Sequence, residues 1–339
     1  MSWPSFWSRT NWKTTLLKPL GSLVCWEAKR RLERFRQFPP PKPTGAVVIV
    51  VGNVVVGGSG KTPFIIWLVR QLRQQGLNVG IVSRGYGGKS KHWPQEAHPA
   101  SDPKQLGDEP VLLAKQLQCP VAVAPQRCQA VALMMQRHDI DVIVSDDGLQ
   151  HYELPRDIEV VMVDAQRQFG NGLCLPAGPL REPKERLQQV DFIVYNGNMP
   201  KSIEFPQKSF AMQLQPVCFR QLTNPKNTLP ANAFAGQSVN AIAGIGNPQR
   251  FFDTLNELQI EVEGRAFADH YAYKSADFTE YGDEKPLLMT EKDAVKCSEF
   301  AQSGQKNNWW YLEVEPQADE ALFEPLYEQV RSLLHQEIK

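Results

Sequence analysis

The chain has 339 residues, of which 42% are hydrophobic and 22% charged, and its 37 basic and 37 acidic side chains cancel to a formal net charge of zero. This length allows two domains with sizeable cores, and the neutral total gives no sign of a nucleic-acid partner. The six cysteines contain no C-x-x-C pair and no even framework, which predicts reduced thiols in a cytoplasmic protein, each serving as a small buried apolar residue.

The N-terminal 37 residues carry a surplus of positive charge, with eight Lys or Arg against two Glu. Only eight uncharged residues separate Lys18 from Glu27, whereas a bilayer-spanning helix needs about 20. A helix beginning at Pro19 would place five apolar side chains on one face, namely Leu20, Val24, Ala28, Leu32 and Phe35. We therefore expect an amphipathic arm and Pro-rich linker over residues 1–43, lying on an anionic membrane surface. A helix docked on the protein's own body is the alternative.

The most informative stretch is VGNVVVGGSGKT, residues 51–62, which follows the apolar run of residues 46–51. A buried parallel strand leading into a glycine-rich turn and then a helix is typical of a phosphate-binding loop. The residues expected to contact phosphate are Gly57, Gly58, Ser59, Gly60, Lys61 and Thr62, and the Thr62 hydroxyl would also reach Mg²⁺. Val55 departs from the Walker A pattern, which requires glycine there.

Strands and helices alternate after this loop. Strands are predicted at residues 79–83, 121–124, 141–145, 159–163 and 192–195, and helices at 62–74, 108–117 and 126–137. This order predicts a doubly wound, mostly parallel sheet, whose ligands gather beyond the carboxyl ends of the strands. Asp146 and Asp147 stand at such an end, where one of them would bind Mg²⁺; a simple turn is the alternative.

A second, smaller α/β region begins near residue 217. Its predicted elements are strands at 239–243, 287–289 and 309–314 and helices at 248–258 and 319–335. The Pro-, Asn- and Gln-rich segment 196–230 would connect the two regions as an extended ribbon. The predicted organisation is an arm over 1–43, a catalytic domain over 44–216 and a smaller domain over 217–339.

Eight peptides together resemble one enzyme family. They are VGNVVVGGSGKTP (51–63), VSRGYGG (82–88), GDEP (107–110), SDDGLQH (145–151), LPAGPLREP (175–183), AGIGNPQRFF (243–252), FADHY (267–271) and MTEKDA (289–294). In this order they resemble the tetraacyldisaccharide 4′-kinases of bacterial lipid A synthesis. The resemblance implies transfer of the ATP γ-phosphoryl group to the 4′-hydroxyl of a lipid A disaccharide precursor. It also implies a peripheral enzyme at the cytoplasmic face of the inner membrane. The sequence itself gives no sign of an obligate protein partner.

The resemblance also implies roles for individual residues. Asp108 would be the base toward the sugar hydroxyl, with His270 as its partner, although an acidic residue opening a helix could equally serve as a cap. Arg181 would contact phosphate or pair with a neighbouring glutamate. Members of the family often have histidine where this chain has Tyr271, so the role of that position is left open.

Two other classes remain open from sequence. A switch-type GTPase would need an N-K-x-D guanine motif, for which TEKD at 290–293 is a poor match. A membrane-docked ATP-dependent ligase or ATPase would yield free phosphate or another product instead of a phosphorylated lipid.

Overall fold

A computed structural model describes residues 3–42 and 45–337. Residues 1–2, 43–44 and 338–339, which the predicted arm, linker and domains include, lie outside the described part. The helices are α1 (Trp12–Gln37), α2 (Lys61–Gln74), α3 (Pro103–Leu106), α4 (Asp108–Leu117), α5 (Arg127–Arg137), α6 (Pro248–Glu257), α7 (Glu291–Ser303) and α8 (Glu320–Glu337). The strands are β1 (Val47–Gly52), β2 (Val79–Ser83), β3 (Gln95–Glu96), β4 (Val121–Val123), β5 (Val142–Asp146), β6 (Ile158–Asp164), β7 (Phe192–Asn196), β8 (Ser209–Gln221), β9 (Thr228–Pro230), β10 (Ser238–Ala243), β11 (Glu261–Ala266), β12 (Leu287–Thr290) and β13 (Trp309–Ala318).

The chain forms two compact units, and it passes from one to the other within β8 and within β13. The larger unit comprises residues 3–213 together with the segment that begins at Pro316, and the smaller comprises 214–315. Helix α8 belongs with the larger unit because Phe323 packs edge-on against Trp67, with ring centroids 6.1 Å apart, and Gln329 donates to Asp191. The described residues of the N-terminal arm also belong to the larger unit. The domain boundaries predicted from sequence stay a prediction.

In the larger unit the strand order is β8-β7-β6-β1-β5-β2-β4-β3; among the described residues of this series β3 pairs antiparallel with β4, and the other neighbours pair in parallel. Every residue of β1, β2, β5, β6 and β7 is buried, as expected of strands covered by helices on both faces. The α/β class and the mostly parallel sheet are therefore confirmed. Because β1, β5 and β2 are neighbours, the loops that follow them meet at one edge of the sheet.

Helix α1 begins at Trp12, earlier than predicted, because Asn11 and Thr14 form a capping box and Pro19 lies inside the helix. One face packs on the larger unit, where a Cβ on Gly21 would lie 2.7 Å from the Cys174 carbonyl oxygen. On this face lie Val24, Leu32 and Phe35, so the apolar face expected to meet lipid instead covers the protein.

A second apolar stripe runs along the exposed side of α1. Its members are Trp12, Leu16, Leu20, Leu23 and Trp26, whose residue exposures range from 54% to 71%. These positions recur at helical spacing, so they form one continuous face. Of the face predicted from sequence, only Leu20 belongs to this exposed stripe.

Cys25 of α1 and Cys174 form a disulfide, so the expectation of reduced thiols is wrong for this pair. The two cysteines are 149 residues apart, and only the docking of α1 brings them together. The other four cysteines are free, with Cys297 buried and Cys128 exposed. The expectation of burial is thus also wrong for Cys128, which lies at the surface on α5.

In the smaller unit the order is β11-β10-β12-β13-β8, with β10 to β13 parallel and β9 antiparallel to β8. Aromatic rings fill its cores, including Phe219 against Phe234 at 4.9 Å between centroids. Within the part of the chain that the structure describes, no helix has both the length and the apolar character needed to span a bilayer.

Candidate active site

The glycine-rich loop joins β1 to α2 and is shaped from within by Asn53. The Asn53 amide donates to the Gly57 carbonyl at 3.1 Å and to Ser59 Oγ at 3.2 Å. Gly57 and Gly60 take positive φ angles of 96° and 89°. Gly60 caps α2 without any side-chain acceptor, so the first N–H groups of α2 are left for an anionic ligand.

The departure from the Walker A pattern at Val55 has a structural reason. Residues 54–56 run beside residues 179–181, because Arg181 N donates to the Val54 carbonyl at 2.7 Å and Val56 N to the Pro179 carbonyl at 2.9 Å. Val55 itself forms an antiparallel bridge with Leu180. An extended, buried position of this kind suits a β-branched residue and needs no glycine.

Two cations converge on the carboxylate of Asp147. Lys61 Nζ lies 3.3 Å from Asp147 Oδ1, and Arg181 Nη1 lies 3.1 Å from Asp147 Oδ2. Burial alone would raise the pKa of Asp147, but Lys61 and Arg181 outweigh it and hold that pKa well below its usual range. Asp147 takes a φ of 48°, a left-handed conformation that Asp tolerates better than most residues. The structure thus brings Lys61, Arg181 and Asp147 together beside the N-terminus of α2.

Asp146 has a different environment, although it is adjacent in sequence. It is the last residue of β5, its Oδ2 accepts from Ser83 Oγ at 3.2 Å, and its buried Oδ1 has no hydrogen-bond partner. Burial, together with the carboxylates of Glu109 and Asp147, raises the pKa of Asp146 to about 7 despite nearby Lys61 and Arg127. An uncompensated buried carboxylate oxygen is what a cation would satisfy.

Arg127 supports this acidic pair and was missed from the sequence. Its Nη2 donates to the backbone carbonyls of Asp146 at 2.9 Å and Asp147 at 2.7 Å, and the residue is only 3% exposed. Arg127 is the first residue of α5, where the helix dipole disfavours a cation. A cation at the N-terminus of a predicted helix was therefore the one sequence feature indicating that Arg127 makes a specific contact.

The proposed base and its partner lie in different units. Asp108 is buried, opens α4 and follows Gly107, whose φ is 94°. His270, in the smaller unit, has a φ of 57°, and its Nε2 lies 3.4 Å from Lys292 Nζ. Tyr271 OH donates to Asp277 at 3.2 Å, which gives the Tyr271 side chain a structural contact here. The pairing of Asp108 with His270 stays a prediction.

The residues around Asp146 offer only a few ligands for a divalent cation. Among residues 3–42 and 45–337, no group of three or more His, Cys, Asp or Glu side chains could hold a metal. Mg²⁺, however, commonly binds through one or two carboxylates, with phosphates and water completing its shell. The unpartnered Oδ1 of Asp146 meets that requirement, and Thr62, on the first turn of α2, carries the hydroxyl that such a site uses.

Replacing Asp146 by asparagine should stabilise the metal-free protein. The pKa of Asp146 is about 7 in the folded state and near 3.8 in the unfolded chain, so its contribution to stability is complete below about pH 4 and is lost as pH rises through 7. The Asn side chain cannot ionise and escapes this loss. We expect the melting temperature in EDTA to rise at pH 8, by roughly 2–4 °C for each kcal/mol recovered. At pH 4 the two proteins should melt together, and an equal gain at both pH values would contradict the argument.

Replacing Gly60 by alanine should disable the loop. The new Cβ would lie 2.2 Å from Asn196 Nδ2, and a φ of 89° is unfavourable for any side chain. Since a displacement of about 1 Å at a reacting group can cost about 10²-fold in rate, we expect at least that loss in kcat/KM for nucleotide.

Gly76 offers a matched control for Gly60. It follows Gln75, the C-cap of α2, with a φ of 84°, and an added Cβ there would meet nothing within 4 Å. Gly76→Ala therefore places alanine at a positive φ, as Gly60→Ala does, but without a steric clash of the new Cβ with a neighbouring side chain. Equal losses of nucleotide kcat/KM in the two variants would show that strain alone acts at Gly60.

A doubly wound sheet with a glycine-rich loop, a lysine at the helix N-terminus and an acidic pair at the end of the neighbouring strand β5 is typical of P-loop enzymes of phosphoryl transfer. The model of the tetraacyldisaccharide-1-P 4′-kinase family (LpxK) matches residues 13–331. The chain belongs to this family.

Individual relatives agree. The tetraacyldisaccharide 4′-kinase of Hydrogenovibrio crunogenus is 58% identical over 319 residues, covering 93% of this chain and 94% of the relative. That of Methylobacillus flagellatus is 44% identical over 336 residues, covering 98% and 96%. The crystal structure of LpxK from Aquifex aeolicus in complex with ATP is 26% identical, with a TM-score of 0.76 over 95% of this chain and 99% of that one. The prediction of a kinase is confirmed, and the GTPase and ligase alternatives are set aside.

Proposed function

We propose that this kinase transfers the γ-phosphoryl group of ATP to the 4′-hydroxyl of tetraacyldisaccharide 1-phosphate, with Mg²⁺, at the cytoplasmic face of the bacterial inner membrane. The observation that carries the proposal is the convergence of Lys61 and Arg181 beside the uncapped N-terminus of α2. The Aquifex aeolicus relative, solved with ATP, supports the choice of nucleotide.

The nucleotide phosphates would lie against the loop N–H groups of residues 57–62. Lys61 and Arg181 form ion pairs with Asp147 in this structure. When nucleotide binds, both side chains would also contact its phosphates. Asp147 thus keeps two flexible cations oriented toward the loop before the ligand arrives. Phosphoryl transfer depends mainly on such positioning and charge neutralisation.

Asp146 and Thr62 would hold the Mg²⁺ ion, which neutralises phosphate charge and orients the transferring group when bound. Of the adjacent pair, Asp146 is the better ligand because its Oδ1 lacks a partner, whereas Asp147 is already neutralised by two cations. Arg127 fixes the backbone of both residues and so sets the direction of the Asp146 carboxylate.

Asp108 would accept the proton of the sugar hydroxyl, with His270 assisting from the smaller unit. Asp108 is buried and opens α4, so bulk water competes little with a bound hydroxyl for its carboxylate. Its place at the N-terminus of α4 also suits the alternative role of an acid that opens a helix.

The exposed stripe of α1, defined by the five residues from Trp12 to Trp26 given above, would lie in the membrane interface. Each Trp that becomes half buried in lipid contributes about 2 kcal/mol at about 25 cal/mol/Å². Each Lys or Arg side chain of the arm that lies near an anionic leaflet adds about 1 kcal/mol to the free energy of membrane binding. Because the opposite face of α1 is docked, the arm both contacts the protein and presents a surface to lipid.

Substituting three leucines of this stripe should release the protein from membranes. We expect the triple variant Leu16→Ser, Leu20→Ser, Leu23→Ser to lose co-sedimentation with vesicles of anionic lipid, because about 0.8 kcal/mol is forfeited for each CH₂ no longer buried. The double variant Val217→Ser, Met199→Ser removes other exposed apolar side chains and serves as the control. Unchanged sedimentation of the triple variant would contradict the proposed membrane face.

The function is tested by incubating the protein with γ-³²P-labelled ATP, Mg²⁺ and a tetraacyldisaccharide 1-phosphate in detergent. We expect the label in a lipid disaccharide carrying a second phosphate, and little transfer from GTP. Release of free phosphate without labelled lipid would overturn the proposal.

A further inference from the structure

The N-terminal arm reaches the phosphate loop itself. Trp3 Nε1 donates to the Val56 carbonyl at 3.1 Å, and Arg167 Nη2 donates to the Gly58 carbonyl at 2.5 Å. The guanidinium carbon of Arg167 also lies 4.9 Å from the centre of the Trp3 ring. Two side chains in mutual contact, one of them from the arm, thus hold the Val56–Gly57 and Gly58–Ser59 peptides of the loop.

These two contacts decide where the loop N–H groups point. Because a trans peptide is planar, its C=O and the N–H of the next residue point in opposite directions. Drawing the Val56 carbonyl onto Trp3 therefore directs the Gly57 N–H away from the arm, and drawing the Gly58 carbonyl onto Arg167 does the same for the Ser59 N–H. Both are among the N–H groups that a nucleotide phosphate would use.

The arm has a shaped seat that fixes Trp3. Trp7 Nε1 donates to the Pro176 carbonyl at 3.0 Å, and Asn171 N donates to the Trp7 carbonyl at 2.7 Å. A Cβ on Gly170 would lie 2.5 Å from that Trp7 oxygen, so only glycine admits the arm there. This seat is continuous with residues 179–181, which pair with the first part of the phosphate loop.

Arg167 is itself held in place by the sheet. It pairs with Asp164, the last residue of β6, at 3.4 Å, and Asp164 Oδ1 accepts the backbone N–H of Arg167 at 2.9 Å. The Nη2 atom of Arg167 therefore contacts both Asp164 and the loop carbonyl, while the guanidinium lies over the Trp3 ring. A planar guanidinium can stack on that ring as it makes these contacts, which a lysine ammonium could not.

We propose that Trp3 and Arg167 are positioning residues of the nucleotide site, and that docking of the arm and binding of ATP favour each other. The inference rests on the proposed function, which makes ATP the ligand of this loop. Coupling of this kind is reciprocal, so a docked arm raises the affinity for ATP and bound ATP steadies the arm by the same factor. A coupling of ordinary size would be about 5- to 150-fold.

The first test measures ATP affinity by calorimetry in four variants, with KM for the lipid acceptor and the melting temperature recorded beside it. Trp3→Phe keeps the ring over Arg167 but removes its N–H, and Trp3→Ala removes both. Arg167→Lys keeps the positive charge without the planar guanidinium, and Arg167→Ala removes both the charge and the guanidinium. We expect Kd for ATP to rise more in each Ala variant than in its conservative counterpart, at least fivefold for either Ala variant, with the lipid KM in detergent unchanged.

Phe38→Ala is the matched control, because Phe38 is an exposed aromatic residue just beyond the other end of α1. Its Kd for ATP should equal that of the parent protein. A double variant Trp3→Ala, Arg167→Ala should be hardly worse than the worse single variant, since the two side chains act as a unit. Unchanged Kd in both Ala variants, or a fall in melting temperature that fully tracks the change in Kd, would overturn the proposal.

The second test uses reciprocity. Saturating ATP with Mg²⁺ should slow amide hydrogen exchange in residues 3–9 of the parent protein, and this protection should be lost in Arg167→Ala at ATP concentrations that saturate the variant. Protection that persists in the variant would overturn the coupling. If the parent protein bound no ATP at all, the proposed function would fail first, so the two failures are distinguishable.

Discussion

Replacement of Lys61 by alanine is expected to lower kcat for phosphoryl transfer by about 10³–10⁵-fold, the range that a single cation on a transferring phosphoryl group supplies in enzymes of this class. Lys61 opens α2 and pairs with the Asp147 carboxylate, so its loss removes charge from the site and little packing. Asp147 would keep Arg181 as partner, and the acidic turn should therefore persist.

The measurement is single-turnover transfer from labelled ATP, with the circular dichroism spectrum and the melting temperature taken as checks on folding. Lys226→Ala, at an exposed loop position, is the control for loss of one positive charge. A folded Lys61→Ala protein with near-normal kcat would remove this loop from the chemistry.

The second large effect is expected at Asp108 and His270. Alanine at either position should lower kcat by about 10²–10⁴-fold, the usual contribution of a positioned acid or base, while ATP affinity changes little because neither belongs to the phosphate loop. If the two act as a unit over the acceptor hydroxyl, the double variant should be hardly worse than the worse single one.

Asp277→Ala is a useful companion to the His270 variant, because Asp277 lies close to that segment and accepts from Tyr271. It should disturb the local packing without removing an imidazole. Multiplicative effects of the Asp108 and His270 substitutions would show that they act independently, and Asp108 would then return to the role of a helix-opening acid.

The larger unit could be predicted well from sequence because its strands are continuous apolar runs, and helix α4 begins and ends where the sequence indicated. The strand β11 was missed, since the sequence EVEGRA alternates charge with small residues. It lies at the edge of the sheet beside β10 and is mostly exposed, so it carries little hydrophobic signal. The 13-residue β8 was anticipated only as part of an extended connection, because segment 196–230 is rich in Pro, Asn and Gln, and the burial of β8 in the structure is irregular.

The residues of the candidate site also fall into those that the sequence indicates and those that it does not. The phosphate loop and the acidic pair follow from local spacing, which a sequence displays directly. Arg127, Asn53 and Arg167 act through contacts to backbone carbonyls, and no spacing rule marks an ordinary polar residue for such a contact. The Cys25–Cys174 pair was missed for a related reason, since it depends on where α1 docks and on nothing near either cysteine in sequence.

The two opposite faces of α1 bear on how this enzyme can be handled in the laboratory. Cutting the chain after the arm would be one way to obtain protein without detergent, yet it would also expose the surface around Cys174 against which Gly21 packs, and would remove the hydrogen bond from Trp3 to the loop. A better route keeps the docked face whole and makes only the outward stripe polar. If the outward stripe is the membrane face proposed above, the resulting protein should stay dispersed in plain buffer with its nucleotide site complete, and could be crystallised or screened against inhibitors in that form.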